Sequence, residues 1–114
     1  MILHFCPRAA WQPPAPYASD TLDTEGFIHC STTAQVTTPA NALARGRTDL
    51  ILLEIDESKL DVPLRWEDGS PPDPTGALFP HVYGPIPADA VVAVHDFPPG
   101  PDGRFTLPPG LTER

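Results

Sequence analysis

Residues 1–6 are apolar and alternate regularly enough to form a first strand, with His4 and Cys6 on one face and Leu3 and Phe5 on the other. Pro7 suits the first turn of a short helix that Pro13-Pro14 closes, and Trp11 is placed to pack on a sheet. Residues 12–25 show no period and read as an acidic loop with one helical turn around Thr21-Leu22. Gly26 opens a second strand, in which Phe27 and His29 share one face and Ile28 and Cys30 the other. Ser31 or Thr32 is a good N-cap and Thr32-Thr33-Ala34-Gln35 fits a capping box, so a helix is predicted to begin just after His29. Val36, Ala40, Leu43 and Ala44 form its apolar stripe and Gly46 ends it, with Pro39 as a kink or a restart.

The run Leu50-Ile51-Leu52-Leu53-Glu54-Ile55 is the most apolar in the chain and too short for a helix, which makes it the central strand. Leu64-Arg65-Trp66-Glu67 reads as a short strand between Pro63 and Asp68-Gly69. Residues 68–76 hold too many prolines and glycines for regular structure and make a loop able to cover a pocket. Residues 78–84 resume extended structure with His81 and Tyr83 on one face, and residues 90–97 form the last strong strand. The alternation therefore predicts an α+β domain over residues 1–97 with one main helix and five or six strands. A Pro/Gly-rich tail over residues 98–114, flexible or draped on the surface, follows it.

A chain of 114 residues holds one core and no second domain. Seventeen prolines and eight glycines approach the level of disordered chains, but a 40% hydrophobic content argues that the core exists. The formal charge of −8, with the seven basic residues scattered, repels phosphate backbones and anionic headgroups, so polymeric nucleic acid and membranes are not expected partners. No secretory pattern or span of about 20 apolar residues appears, and the chain reads as cytoplasmic, with Cys6 and Cys30 as free thiols.

The chemistry concentrates in Gly26-Phe27-Ile28-His29-Cys30-Ser31-Thr32. His29, before a capped helix, is either part of an anion site or a histidine bonded to a backbone carbonyl at the sheet edge. Cys30 is either a thiolate activated by that helix or a small buried hydrophobe, and strand alternation favours the second. His4 taken alone reads as structural. His81 and Tyr83 line a cleft or an ordinary edge strand, and Arg65-Trp66-Glu67 is a ligand-contacting cluster or a surface ion pair over an indole. The His and Cys spacings match neither structural nor catalytic zinc patterns, so no metal is expected.

Five runs carry a resemblance: Trp11; Gly26-Phe27-Ile28-His29-Cys30-Ser31 with Gln35-Val36; Asp49-Leu50-Ile51-Leu52-Leu53-Glu54-Ile55-Asp56; Leu64-Arg65-Trp66-Glu67; and Phe79-Pro80-His81-Val82-Tyr83-Gly84-Pro85. Together, across roughly residues 1–96, they resemble the small bacterial family called domain of unknown function 952, which is grouped by fold with the ADP-ribosyltransferases. The resemblance implies a split, mostly antiparallel β-sheet around an NAD cleft. It implies that His4 contacts the ribose and that His29 helps hold the nicotinamide end, with a carboxylate on a later strand. The Phe79 run has no carboxylate, and Glu67 lies in a different motif. The expected protein thus binds NAD or a related nucleotide, as a transferase or glycohydrolase acting by ADP-ribosyl or phosphoryl transfer. His4, His29 and His81 are its catalytic candidates, and Ser31, Thr32, Arg65, Trp66, Glu67 and Tyr83 its ligand contacts. A non-catalytic small-ligand or protein-interaction module is the alternative.

Overall fold

The computed structural model describes residues 1–111. The apolar run at Leu50–Ile55 is strand β3, buried along its whole length and flanked antiparallel by β1 (Ile2–Pro7) and β6 (Val91–Asp96). Its burial explains its near-continuous hydrophobicity, because a central strand covered on both faces has no solvent side to mark with polar residues. A second antiparallel sheet has the order β2 (Ile28–His29), β5 (Phe79–Val82), β4 (Leu64–Glu67). The domain is therefore α+β, built on two three-stranded antiparallel sheets. They meet through one isolated antiparallel bridge, with Leu3 N–H donating to Ser31 at 2.7 Å and Ser31 N–H to Leu3 at 2.8 Å.

Strand alternation sorts the two cores. One face of the first sheet (Ile2, Cys6, Ile51, Leu53, Ile55) packs against Ile28, Cys30 and Val82 of the second, with Trp11 at its margin. The other face (Leu3, Leu50, Leu52) is covered by Val36, Ala40 and Ala44 around helix α2 (Thr37–Leu43) and by Phe97, Phe105 and Leu111. Residues 98–111, set apart in the sequence as a tail, thus join this second core: Phe105 stacks on Phe97, and the Asn41 amide bonds both the N–H and the C=O of Phe105. The other α-helix among the described residues is α1 (Asp20–Thr24), where the sequence predicted a turn, and single 3-10 turns lie at Arg8–Ala10, Glu57–Lys59 and Ala88–Ala90. No helix among the described residues is long and apolar enough to cross a membrane.

The main helix departs from its prediction. Gln35 does accept from the Thr32 N–H, as a capping box requires, but the bond closes turns ahead of the helix, which starts at Thr37 and is seven residues long. Ser31 lies in the bridge to β1, and neither it nor Thr32 caps α2, whose N-cap position is Val36 with no side-chain cap bond. Leu43, counted in the apolar stripe, is 80% exposed. An anion site at a helix N-terminus beside His29 is not formed, because a helix this short and this distant in sequence has no dipole end there.

Gly84, next to β5, closes tightly on Val62 in the segment that leads into β4. A Cβ at this position would lie 2.4 Å from Val62 Cγ1 and 2.8 Å from Val62 Cβ, and Val62 is itself packed on the first core. Gly84→Ala is expected to destabilise the fold by about 2 kcal/mol, the usual scale of overpacking. A melting temperature equal to the parent's would show that Val62 yields freely.

Candidate functional site

Beside the Leu3–Ser31 bridge the two sheets part around a cavity of about 590 Å³. His4 of β1, His29 and Ser31 at the end of β2, and His81 of β5 all line it. His29 and His81 are direct partners in the β2–β5 register, which explains how motifs 52 positions apart bring their rings to 5.2 Å, edge to face. Apolar walls come from Phe5, Phe79, α2 and the 69–74 loop. The three imidazoles read from the sequence therefore converge, and each is held differently.

His4 Nδ1 lies 2.6 Å from the His29 carbonyl oxygen, which can only accept, so the proton sits on Nδ1. Nε2 then accepts from the Tyr17 hydroxyl at 2.8 Å, and both nitrogens are used inside the protein. Burial pushes the His4 imidazole down to about 4 from its ordinary 6.5, against the opposing effect of the His29 carbonyl. His4 is thus a neutral positioning group that fixes the backbone at His29. The sign of its pH effect follows: the unfolded chain takes a proton here below about pH 6.5, and the folded chain refuses it until about pH 4. Stability is expected to be full above pH 6.5 and to fall towards pH 4, by no more than about 3 kcal/mol from this group. Urea titrations at pH 7 and 4.5 on the parent and on His4→Gln check this; equal losses in both would rule His4 out as the source.

His29 donates from Nε2 to Glu25 Oε1 at 3.1 Å and stays part-exposed at the cavity wall. His81 is 3% exposed, stacks on Phe27 with ring centroids 4.1 Å apart, and donates from Nδ1 to Glu67 Oε1 at 2.9 Å. The Tyr83 hydroxyl donates to the same oxygen at 2.5 Å, and the Arg65 guanidinium sits 4.9 Å from the centre of the Tyr83 ring. The Tyr83 hydroxyl and the His81 imidazole hold the Glu67 carboxyl below the usual carboxylate range, while Glu67 pushes the Tyr83 phenol up. When the ring is neutral, bonding at Nδ1 to a carboxylate leaves the lone pair of His81 at Nε2. That atom is buried without a hydrogen-bond partner, a state that costs about 1–3 kcal/mol in a finished core.

The other predicted residues divide. Ser31 reaches the cavity, whereas Thr32 lines a neighbouring hollow of about 300 Å³ with Gln35 and Asp73. Glu67 bonds His81, Tyr83 bonds Glu67 and Arg65 sits over the Tyr83 ring, and none of the three lines the cavity. Trp66 alternates to the opposite face of β4 and is 45% exposed there. The Cys30 thiol is buried and pushed up by that burial, and Cys6 is pushed up to about 11, so neither is an activated nucleophile. Among the described residues no three His, Cys, Asp or Glu side chains come together as metal ligands.

A family model described as a protein of unknown function, DUF952, matches residues 5–94. The chain belongs to that family. It is similar to a crystal structure of protein CC0527 from Caulobacter crescentus, a structural genomics target, with a TM-score of 0.80 and 30% identity over 93% of each chain. A solution NMR structure of CC0527 gives a TM-score of 0.75 at 30% identity, over 93% of this chain and 91% of that one. No curated protein matches the sequence.

The two specific motifs of this DUF952 chain, around His29 and His81, are the two strands whose register builds the site. Sequence reasoning missed Tyr17, Glu25 and Phe27 as partners of the three histidines. Phe27 carried a signal, since it shares a strand face with His29. Glu25 and Tyr17 sit in aperiodic sequence, where no spacing rule points at a partner.

Proposed function

We propose that the protein binds a small organic molecule in this cavity and that His81 receives a hydrogen bond or a proton from it. One observation carries the reading: the buried, unpartnered Nε2 of His81. Glu67 supports it as the group that keeps the proton on Nδ1, the arrangement that makes a neutral imidazole an acceptor or general base at its other nitrogen. The ligand is one with an apolar body and an N–H or O–H donor, matching the apolar walls and the acceptor at His81 Nε2.

A second reading, ADP-ribosyl transfer from NAD on an ADP-ribosyltransferase-like fold, is favoured by the Glu67–His81 bond. It brings a carboxylate next to the histidine motif that lacked one in sequence, where its charge acts on a cationic transition state through His81 and not by contact with the sugar. On this reading the nicotinamide end, a cationic ring with an amide donor, enters the cavity. The pyrophosphate stays outside, because no lysine or arginine lines the walls. Titration with NAD, ADP-ribose and nicotinamide, followed by backbone amide shifts, tests both. Shifts at Ser31, His81 and the 69–74 loop are expected, and shifts confined to residues far from His29 and His81 would overturn the site. Release of nicotinamide separates transfer from binding.

A further inference from the structure

The cavity's charge is one-sided. Glu25 and Asp73, from separate segments, both line it, and no lysine or arginine does. Each carboxylate is held in place: Glu25 by the His29 Nε2–H at 3.1 Å, Asp73 by the Thr75 N–H at 2.9 Å and by the Thr75 hydroxyl. The third acceptor is the unpartnered Nε2 of His81, on a side chain 3% exposed. Two aromatic rings, Phe5 and Phe79, stand in the same walls, and a ring face attracts a cation.

We propose that the cavity selects a compact organic cation, a protonated amine or amidine on an apolar body, over neutral or anionic molecules of the same shape. The inference rests on the reading of the cavity as a small-ligand site and adds the ligand's charge to it. A positive charge in a partly enclosed space beside two carboxylates gains more than it would in water, and the net charge of −8 concentrates cations at the surface. An anion meets the repulsion of both carboxylates, with no lysine or arginine in the walls to offset it.

Calorimetric and amide-shift titrations of the full chain at pH 7 and low salt, with benzylamine, benzyl alcohol and benzoate, test this. Benzylamine is expected to bind at least about fivefold more tightly than benzyl alcohol, with benzoate weakest, a margin on the scale of one partly screened ion pair. The Glu25→Gln/Asp73→Asn pair, which keeps an acceptor oxygen at both sites, is expected to erase that preference and leave benzyl alcohol unchanged. Equal or tighter binding of benzyl alcohol by the parent overturns charge selection and leaves the small-ligand reading standing. A preference that survives the double variant also overturns it. Binding of none of the three overturns both.

Discussion

Phe105→Ala is expected to cost about 4 kcal/mol of folding stability, near the top of the range for a large side chain lost from a core. Phe105 is 2% exposed, stacks on Phe97 at 4.8 Å, and belongs to the cluster that joins α2 to the first sheet. Its backbone is pinned as well, its N–H donating to Asn41 Oδ1 at 2.7 Å and its carbonyl accepting from Asn41 Nδ2 at 3.2 Å. Because a domain of this size holds only about 5–15 kcal/mol in total, the variant should approach unfolding at body temperature. A urea midpoint that scarcely moves would mean that residues 98–111 do not pack as described.

Glu67→Ala is expected to switch the proton position on His81 and to destabilise the protein by about 1–2 kcal/mol, since it leaves the Nδ1–H and the Tyr83 hydroxyl without their shared acceptor. Glu67→Gln retains an oxygen for both and should keep the parent's tautomer and most of its stability. Nitrogen-15 spectra of the imidazole read this directly, without a ligand. In the parent, the neutral ring should show its proton on Nδ1. The same tautomer in Glu67→Ala would remove Glu67 as the group that sets the acceptor.

The residues that announced their structure were those whose burial follows a local period. β1 and β3 could be placed from alternation and apolar content, the shared face of His4 with Cys6 holds in the register, and the Phe27 and His29 rings meet at 4.8 Å. Misreadings arose where a distant contact overrode a local rule. The capping box is real in its hydrogen bond, yet the bridge from Ser31 to Leu3 claims the backbone that a helix would have needed. Phe105 and Leu111 sit among prolines and glycines with no period, so their burial depends on a surface of α2 that sequence spacing does not reveal.

The site shows the same division. That Trp66 faces away from its neighbours Arg65 and Glu67 was readable from strand alternation, which should have split that cluster. That Glu67 meets His81 was not, because it depends on β4 pairing with β5, where Arg65 stands opposite His81 and Glu67 opposite Phe79. The carboxylate and its imidazole stand fourteen positions apart in the chain, with the whole 68–76 loop between them.

Among the described residues one backbone bridge joins the two sheets, beside the His4–His29 hydrogen bond, and the cavity lies against it. A guest that wedges the layers apart must stretch the Leu3 and Ser31 amides first, while one that draws them together shields both from solvent. Deuterium uptake at these two positions is therefore a built-in strain gauge for occupancy, and it reads the direction of movement without any knowledge of what the guest is.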